Sequence, residues 1–274
     1  MNRRTQKNQN IHRYRPKKRT KNKNTVYKNL RKRMKRSTYL TGFFLVFTLT
    51  LNAQNDEKGP VRIHNGTALT DSRDGNTYKV VKIGDQIWMA ENLKYLPNVV
   101  GPETGSKRKP FYYVQGYDGT KVSEAMATRN YEIYGVLYNW PAAMNEAKGS
   151  TANPSGVQGV CPCGWHLPSD AEWTQMTDYL NINVAGGKLK DTSAKIWNSP
   201  NTGASNETGF TALAGGYRKE DGTFVSMGED SDFWSASERN GTYAWFRNIH
   251  FNDNDVGRNN FRKEIGFSVR CVKD

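Results

Sequence analysis

Cysteine is scarce in this chain. Three occur among 274 residues, Cys161, Cys163 and Cys271, with none before position 161. A small scaffold held by many disulfides is therefore excluded, and stability has to come from a hydrophobic core. Acid is missing at one end: residues 1–53 hold 16 of the 40 Lys and Arg and no Asp or Glu. The other 24 basic residues stand against all 26 acidic ones in residues 54–274. The formal charge of +14 thus belongs to the N-terminal segment, and the remainder offers no electrostatic ground for binding nucleic acid. The apolar run at 39–51 has 13 residues, well short of the ~20 that cross a bilayer as a helix. No P-loop, nucleophile elbow or HExxH occurs, so the sequence gives no support to phosphoryl transfer, serine-hydrolase or zincin chemistry.

What the N-terminal segment does contain reads as export machinery. Lys35-Arg36 precede the apolar run, which includes Phe43-Phe44-Leu45-Val46-Phe47 and ends in Leu51-Asn52-Ala53-Gln54. A charged start, a short apolar stretch and a small residue before the cut describe a signal peptide over 34–53, cleaved after Ala53. No cysteine lies there to carry a lipid. Residues 1–33 form a basic, Asn- and Lys-rich tail ahead of a complete signal, for which Met34 is a conventional start. The alternatives are an unusually long charged region or an uncleaved signal anchor. The expected location is exported: periplasmic, cell-surface or extracellular.

Beyond the signal, about 220 residues rich in aromatics can bury one full core. Residues 54–70 read as a flexible lead-in, because Asn55-Asp56-Glu57-Lys58-Gly59-Pro60 has breakers and no periodicity. A single domain is expected over 71–274. Asp74-Gly75-Asn76 is a turn signal. Thr77-Tyr78-Lys79-Val80-Val81-Lys82-Ile83 and Gln86-Ile87-Trp88-Met89 around Gly84-Asp85 read as a hairpin. Residues 97–130 read as a solvated loop with a basic knot at Lys107-Arg108-Lys109. Pro141-Ala142-Ala143-Met144 suits a short helix with Pro in its first turn.

Ser169-Asp170-Ala171-Glu172 is a capping box, and Trp173, Met176, Thr177 and Leu180 follow at helical spacing. Capping accounts for Glu172 more simply than acid catalysis. From Gly209 onward short strands and turns dominate. Residues 243–251 alternate as a strand, with 265–272 as the expected partner. The fold class is α+β, with one or two early helices and antiparallel strands in the C-terminal half.

Ordered motifs run through this region: Asp71-Ser72-Arg73-Asp74-Gly75-Asn76-Thr77-Tyr78, Gln86-Ile87-Trp88-Met89-Ala90-Glu91-Asn92-Leu93 and Tyr134-Gly135-Val136-Leu137-Tyr138-Asn139-Trp140. Gly159-Val160-Cys161-Pro162, Gly164-Trp165-His166-Leu167-Pro168, Gly209-Phe210, Gly215-Gly216-Tyr217-Arg218 and Gly266-Phe267-Ser268-Val269-Arg270-Cys271 complete the set. Together they closely resemble the Fibrobacter succinogenes major paralogous domain, a family of exported modules in Bacteroidetes-type surface proteins. Through Leu167-Pro168, Glu172-Trp173, Gly266-Phe267 and Arg270, that family is distantly similar to the C-type-lectin-like fold, which includes the formylglycine-generating enzymes. The resemblance implies a C-type-lectin-like domain and assigns no activity. Cys163 and Ala214 depart from the pattern, at positions where a small or polar residue and a proline are usual.

Each candidate site has a plainer structural counterpart. An odd cysteine count in an exported protein implies one bridge and one spare thiol. Cys161–Cys271 is the expected pair, and Cys163–Cys271 the alternative. By residue type, Cys161, Cys163, His166 and Cys271 also suit a zinc site, but the Cys-x-Cys spacing is short and the compartment oxidising. Trp234 and Trp245, with Tyr217 and Tyr243, are candidates to stack on sugar rings, although aromatics in strands usually face the core. Arg247, with Arg218, Arg239 and Arg258, is a candidate for anionic sugars. Asn252, Asp253 and Asp255 offer oxygens of the kind calcium takes, without the distal Glu of an EF-hand. Asn- and Asp-rich turns share that composition for backbone reasons, as does the second acidic cluster at 229–232. No cofactor other than calcium is indicated.

These readings favour a non-catalytic binding module for glycans, or an adhesin component. One alternative is a structural part of an envelope or fimbrial assembly with other envelope proteins as partners. The other is an enzyme related to the formylglycine-generating group, which would need paired active-site cysteines.

Overall fold

The computed structural model describes residues 62–64 and 68–274. The tail at 1–33, the signal at 34–53 and most of the lead-in lie outside them. The lead-in is nonetheless shorter than expected. Arg62–His64 (β1) pairs antiparallel with Ala68–Thr70 (β2), which pairs with Thr77–Ile83 (β3). Regular structure therefore begins ahead of residue 71. The boundary at 71 is corrected accordingly: three-residue strands are too short to show periodicity.

The expected hairpin forms in the expected register. Strand β3 pairs with Gln86–Met89 (β4), with Ile83 opposite Gln86. The C-terminal strand Val272–Lys273 (β13) inserts between β4 and Trp165–His166 (β7), giving the sheet order β1-β2-β3-β4-β13-β7. The two ends of the domain thus meet in one sheet. Cys161 and Cys271 form a disulfide beside that junction, their Cα atoms 5.9 Å apart. This settles the pairing in favour of Cys161–Cys271 and leaves Cys163 free and exposed.

A second sheet holds Asp230–Glu238 (β10), Tyr243–His250 (β11) and Gly257–Arg262 (β12) in that order. Here the expected pairing is corrected. Strand β11 lies between β10 and β12, while 265–272 runs beside β10, through the Phe233–Ser268 bridge, and into the first sheet. The cause is burial. Strand β12 is a polar edge strand with no fully buried residue, so it reads as loop. The segment 265–272 is apolar because it passes through the interior.

The region 97–130 is also more ordered than a solvated loop. It contains Tyr112–Tyr113 (β5) and Val122–Met126 (α1), and it leads into Arg129–Tyr134 (α2). Strand β5 pairs with Leu137–Tyr138 (β6). Asn139 caps Trp140–Met144 (α3) by accepting from Ala142 N, and its amide donates to the carbonyls of Ser106 and Lys109 at 2.7 and 2.8 Å. Arg218 stacks on Tyr113 and donates to the carbonyls of Pro102 and Thr104. One buried amide and one buried guanidinium thus hold the base of the loop that presents Lys107-Arg108-Lys109.

The capping box at Ser169 forms as read, and the helix runs over Asp170–Leu180 (α4). It buries Trp173, Met176, Thr177 and Leu180 on one face. Trp173 lies 4.6 Å from Trp88 and 5.4 Å from Phe233, ring centre to ring centre. A short helix, Ala185–Leu189 (α5), and a two-strand hairpin, Tyr217–Arg218 (β8) with Phe224–Val225 (β9), complete the chain. Helices and antiparallel sheets confirm the α+β class.

Arg270 joins these layers. It is fully buried and stacks on Phe210 at 4.4 Å. Its donors reach Asn92 Oδ1 at 2.7 Å and the carbonyls of Met89, Phe210 and Thr211 at 3.2, 2.6 and 2.9 Å. The motif residues Asn92, Phe210 and Arg270 are therefore one structural network.

Candidate binding cleft

A cleft of about 680 Å³ opens where the β2–β3 turn, the 95–98 segment, the end of α3 and the cysteine turn converge. Asp71 is buried and forms a two-pronged pair with Arg73, Nε to Oδ1 at 2.9 Å and Nη2 to Oδ2 at 2.6 Å. The paired guanidinium lies over the Tyr95 ring at 3.9 Å. Burial disfavours the Arg73 charge, but Asp71 outweighs that and raises its pKa. Asn98, Asn145, Gln158 and Tyr112 also line it, with the Gln158 amide donating to Cys161 O at 3.1 Å. Asn145 sits in the left-handed region, φ 46°, as the C-cap of α3, a conformation that asparagine tolerates better than most side chains. Gly159 also has φ +56°, and a Cβ there would strike the Ala143 carbonyl; Gly159→Ala would thus disturb the wall that carries Cys163.

This site was missed by the sequence reading. Its residues are scattered over Asp71, Tyr95, Asn98, Tyr112, Asn145 and Gln158, and only folding gathers them. The signal that could have found it was Arg73 beside Asp71 in the first motif.

The sequence candidates lie elsewhere. Trp234 is fully buried against Phe246 and Phe267, and its indole N–H donates to Tyr138 O. It is a core residue, which corrects its reading as a stacking platform. Trp245 lines a separate cleft of about 600 Å³ with Arg258, Thr151 and Ser237. The Arg258 guanidinium already sits 3.8 Å from its ring centre. Arg247 is buried, and its Nη2 donates to Asp170 Oδ1 and Thr174 Oγ1. It anchors α4 to β11 and is not available to an anionic sugar.

The turn at 252–255 holds a cation of the chain's own. Lys190 is buried, and its Nζ donates to the carbonyls of Asp253 and His250 at 2.7 and 3.1 Å. Burial lowers its pKa to about 8. The Asn252 side chain meets His250 Nδ1 at 2.6 Å, and Asp253 Oδ1 accepts from Asn254 N. Asn252, Asp253 and Asp255 do not converge, and among the described residues no three His, Cys, Asp or Glu gather as around a metal.

His166 likewise belongs to no zinc site. Its Nε2 lies 2.6 Å from Glu172 Oε1 and its Nδ1 2.7 Å from Asp274 Oδ1. Glu172 also accepts from the N–H groups of Ser155 and Ser169. Burial disfavours the imidazolium, but the two carboxylates outweigh it and raise the pKa above 6.5. Burial also disfavours the Glu172 carboxylate, but its His166 and backbone donors outweigh it and hold the pKa below 4.5. His166 stabilises the fold fully below its unfolded pKa, and that contribution fades as pH rises through the higher folded value. The Glu172 contribution is full above 4.5 and fades as pH falls through its lower folded value. The stability gap between wild type and His166→Gln is therefore expected to be widest near pH 5–6 and to narrow toward pH 9. Urea unfolding at both ends checks this, and a gap that widens with pH would refute the charged-ring assignment.

Fold and site together define an α+β module closed by one disulfide, with a polar cleft and a buried motif network. A family model, the Fibrobacter succinogenes major domain, matches residues 81–273, and the chain belongs to that family. Neither curated proteins nor solved structures give a match. Among the described residues no helix is long and apolar enough to cross a membrane.

Proposed function

We propose that this chain is an exported, non-catalytic module that binds glycans in the Arg73–Tyr95 cleft. The carrying observation is the composition of that cleft: aromatic rings, a fixed Asp–Arg pair, and the amides of Asn98 and Asn145, which bond to no other described side chain or backbone group. Amides and paired charges match the donor and acceptor pairs of sugar hydroxyls, and ring faces match their C–H patches. Export is supported by the signal pattern at 34–53 and by the Cys161–Cys271 bridge, which suits an oxidising compartment. The C-type-lectin-like architecture belongs to this reading, supported by the meeting of β4 and β13 from the two ends of the domain.

The test is a broad glycan array with the purified protein, run in calcium and in chelator. Saturable binding to a defined set of sugars is expected. No binding in either condition sinks the glycan reading and moves the function to envelope assembly.

A further inference from the structure

Strand β10 carries a carboxyl that nothing among the described residues answers. Asp232 is 4 % exposed, and its Oδ2 has no hydrogen-bond partner. Asp230 lies two residues earlier, so the two side chains share one face of the strand. Across the ladder Asp232 stands opposite Asn248 and Asp230 opposite His250, and directly opposed side chains start about 5 Å apart. No described Lys or Arg pairs with either carboxyl; the nearest basic side chain is His250, whose Nε2 lies 3.6 Å from Asp230 Oδ1. Burial pushes the Asp232 carboxyl well above the ordinary range, and Asp230 adds to the shift. Asp230 is raised too, chiefly by burial.

Such a pair requires positive charge, from a proton or from a metal ion. We propose that Asp230 and Asp232 form a binding site for a divalent, oxygen-seeking cation of the calcium type; the Asn248 amide oxygen opposite Asp232 is turned to β12, where it accepts from Asn259 Nδ2 at 3.0 Å. Two carboxylates balance its charge, and neutral oxygens with water fill the remaining positions that such an ion takes. Asp230 keeps 17 % of its side-chain exposure, which gives the ion and its water a way in. The site lies beside the turn at 252–255, because Phe251 N donates to Glu229 O. The acidic cluster at 229–232, and not that turn, is where the unanswered charge resides. With two carboxylates the affinity should match that of extracellular calcium modules, roughly 0.1–1 mM.

The test uses calcium alone, without glycan, so its outcome is separate from that of the cleft. Chelator-treated protein is titrated with calcium chloride at pH 7.5 by calorimetry, with thermal unfolding in parallel, for the wild type, Asp232→Asn and Asp230→Asn. The expected result is one site per chain, a higher Tm of the wild type in about 5 mM calcium, and more than about tenfold weaker binding in either variant. Asn is isosteric with Asp, so both variants are expected to fold. Absence of binding at that concentration, or variants that bind as the wild type does, overturns the proposal. A calcium-indifferent Asp232→Asn that is more stable than an equally indifferent wild type would show the carboxyl to be a proton carrier, and overturns it as well.

Discussion

Replacing Cys161 and Cys271 by serine is expected to cost about 5 kcal/mol of stability. The bridge closes a segment with a sequence separation of 110, and the chain-entropy model assigns about that amount to a loop of this length. For a domain of this size it corresponds to a fall in Tm of roughly 10–20 °C. The mechanism is specific to this topology. Strand β13 has two residues and sits between β4 and β7, so few hydrogen bonds hold the chain end without the covalent tie. Thermal unfolding of Cys161→Ser/Cys271→Ser beside Cys163→Ser gives the comparison. Cys163 is exposed, so its replacement should be silent. A double variant within about 1 kcal/mol of wild type would show that packing alone secures the C-terminal strand.

Arg270→Met is expected to lose about 3–5 kcal/mol, of the order measured when one partner leaves a buried polar network. Four oxygens from two separate segments lose their donor: those of Met89 and Asn92, and those of Phe210 and Thr211. Arg270→Lys should rescue little of this, because one ammonium lacks the planar fork that reaches all of them. Denaturant unfolding of both variants decides the point. A lysine variant within 1 kcal/mol of wild type would mean that charge alone, and not the fork, holds the network.

These two cases also show where the sequence is informative. The hairpin at 77–89 and the capping box at Ser169 are local: turn residues and periodicity within a dozen positions specify them, and both formed as read. Compartment and cysteine count implied one bridge and one spare thiol, while the choice of Cys161 over Cys163 as the partner of Cys271 is made by the fold. Strand β12 was illegible because an exposed edge strand, Gly257–Arg262, has the composition of a loop. The Arg270 network was visible as motif residues, but its role required contacts between positions 60 and 181 apart in sequence.

The site was less legible than the fold. Trp234 and Trp245 share one strand-like context in the sequence, yet one is sealed in the core and the other lines a cleft under its own arginine. Nothing in their neighbouring residues distinguishes them. The oxygen-rich segment 252–255 reads as an Asn- and Asp-rich turn that also offers calcium-type oxygens, and the cation found there is the Lys190 ammonium delivered from 60 residues away. The binding cleft is assembled from five or more distant segments, so no window of sequence contains it.

Where ligand binds is the claim on which the account stands. The measurement that tests it most directly compares the wild type, Tyr95→Ala, Asn145→Ala and Trp245→Ala on the glycans that the array selects, with Tm recorded for each. Tyr95 and Asn145 line the Arg73 cleft, and Trp245 lines the other. The account predicts that the first two variants lose at least about tenfold in affinity, the order of 1.4 kcal/mol, with Asn145→Ala lowering Tm by only a few degrees through alanine's strain at φ 46°, while Trp245→Ala binds as wild type. Binding that survives both cleft substitutions and is abolished by Trp245→Ala would contradict it and place the site on the second sheet.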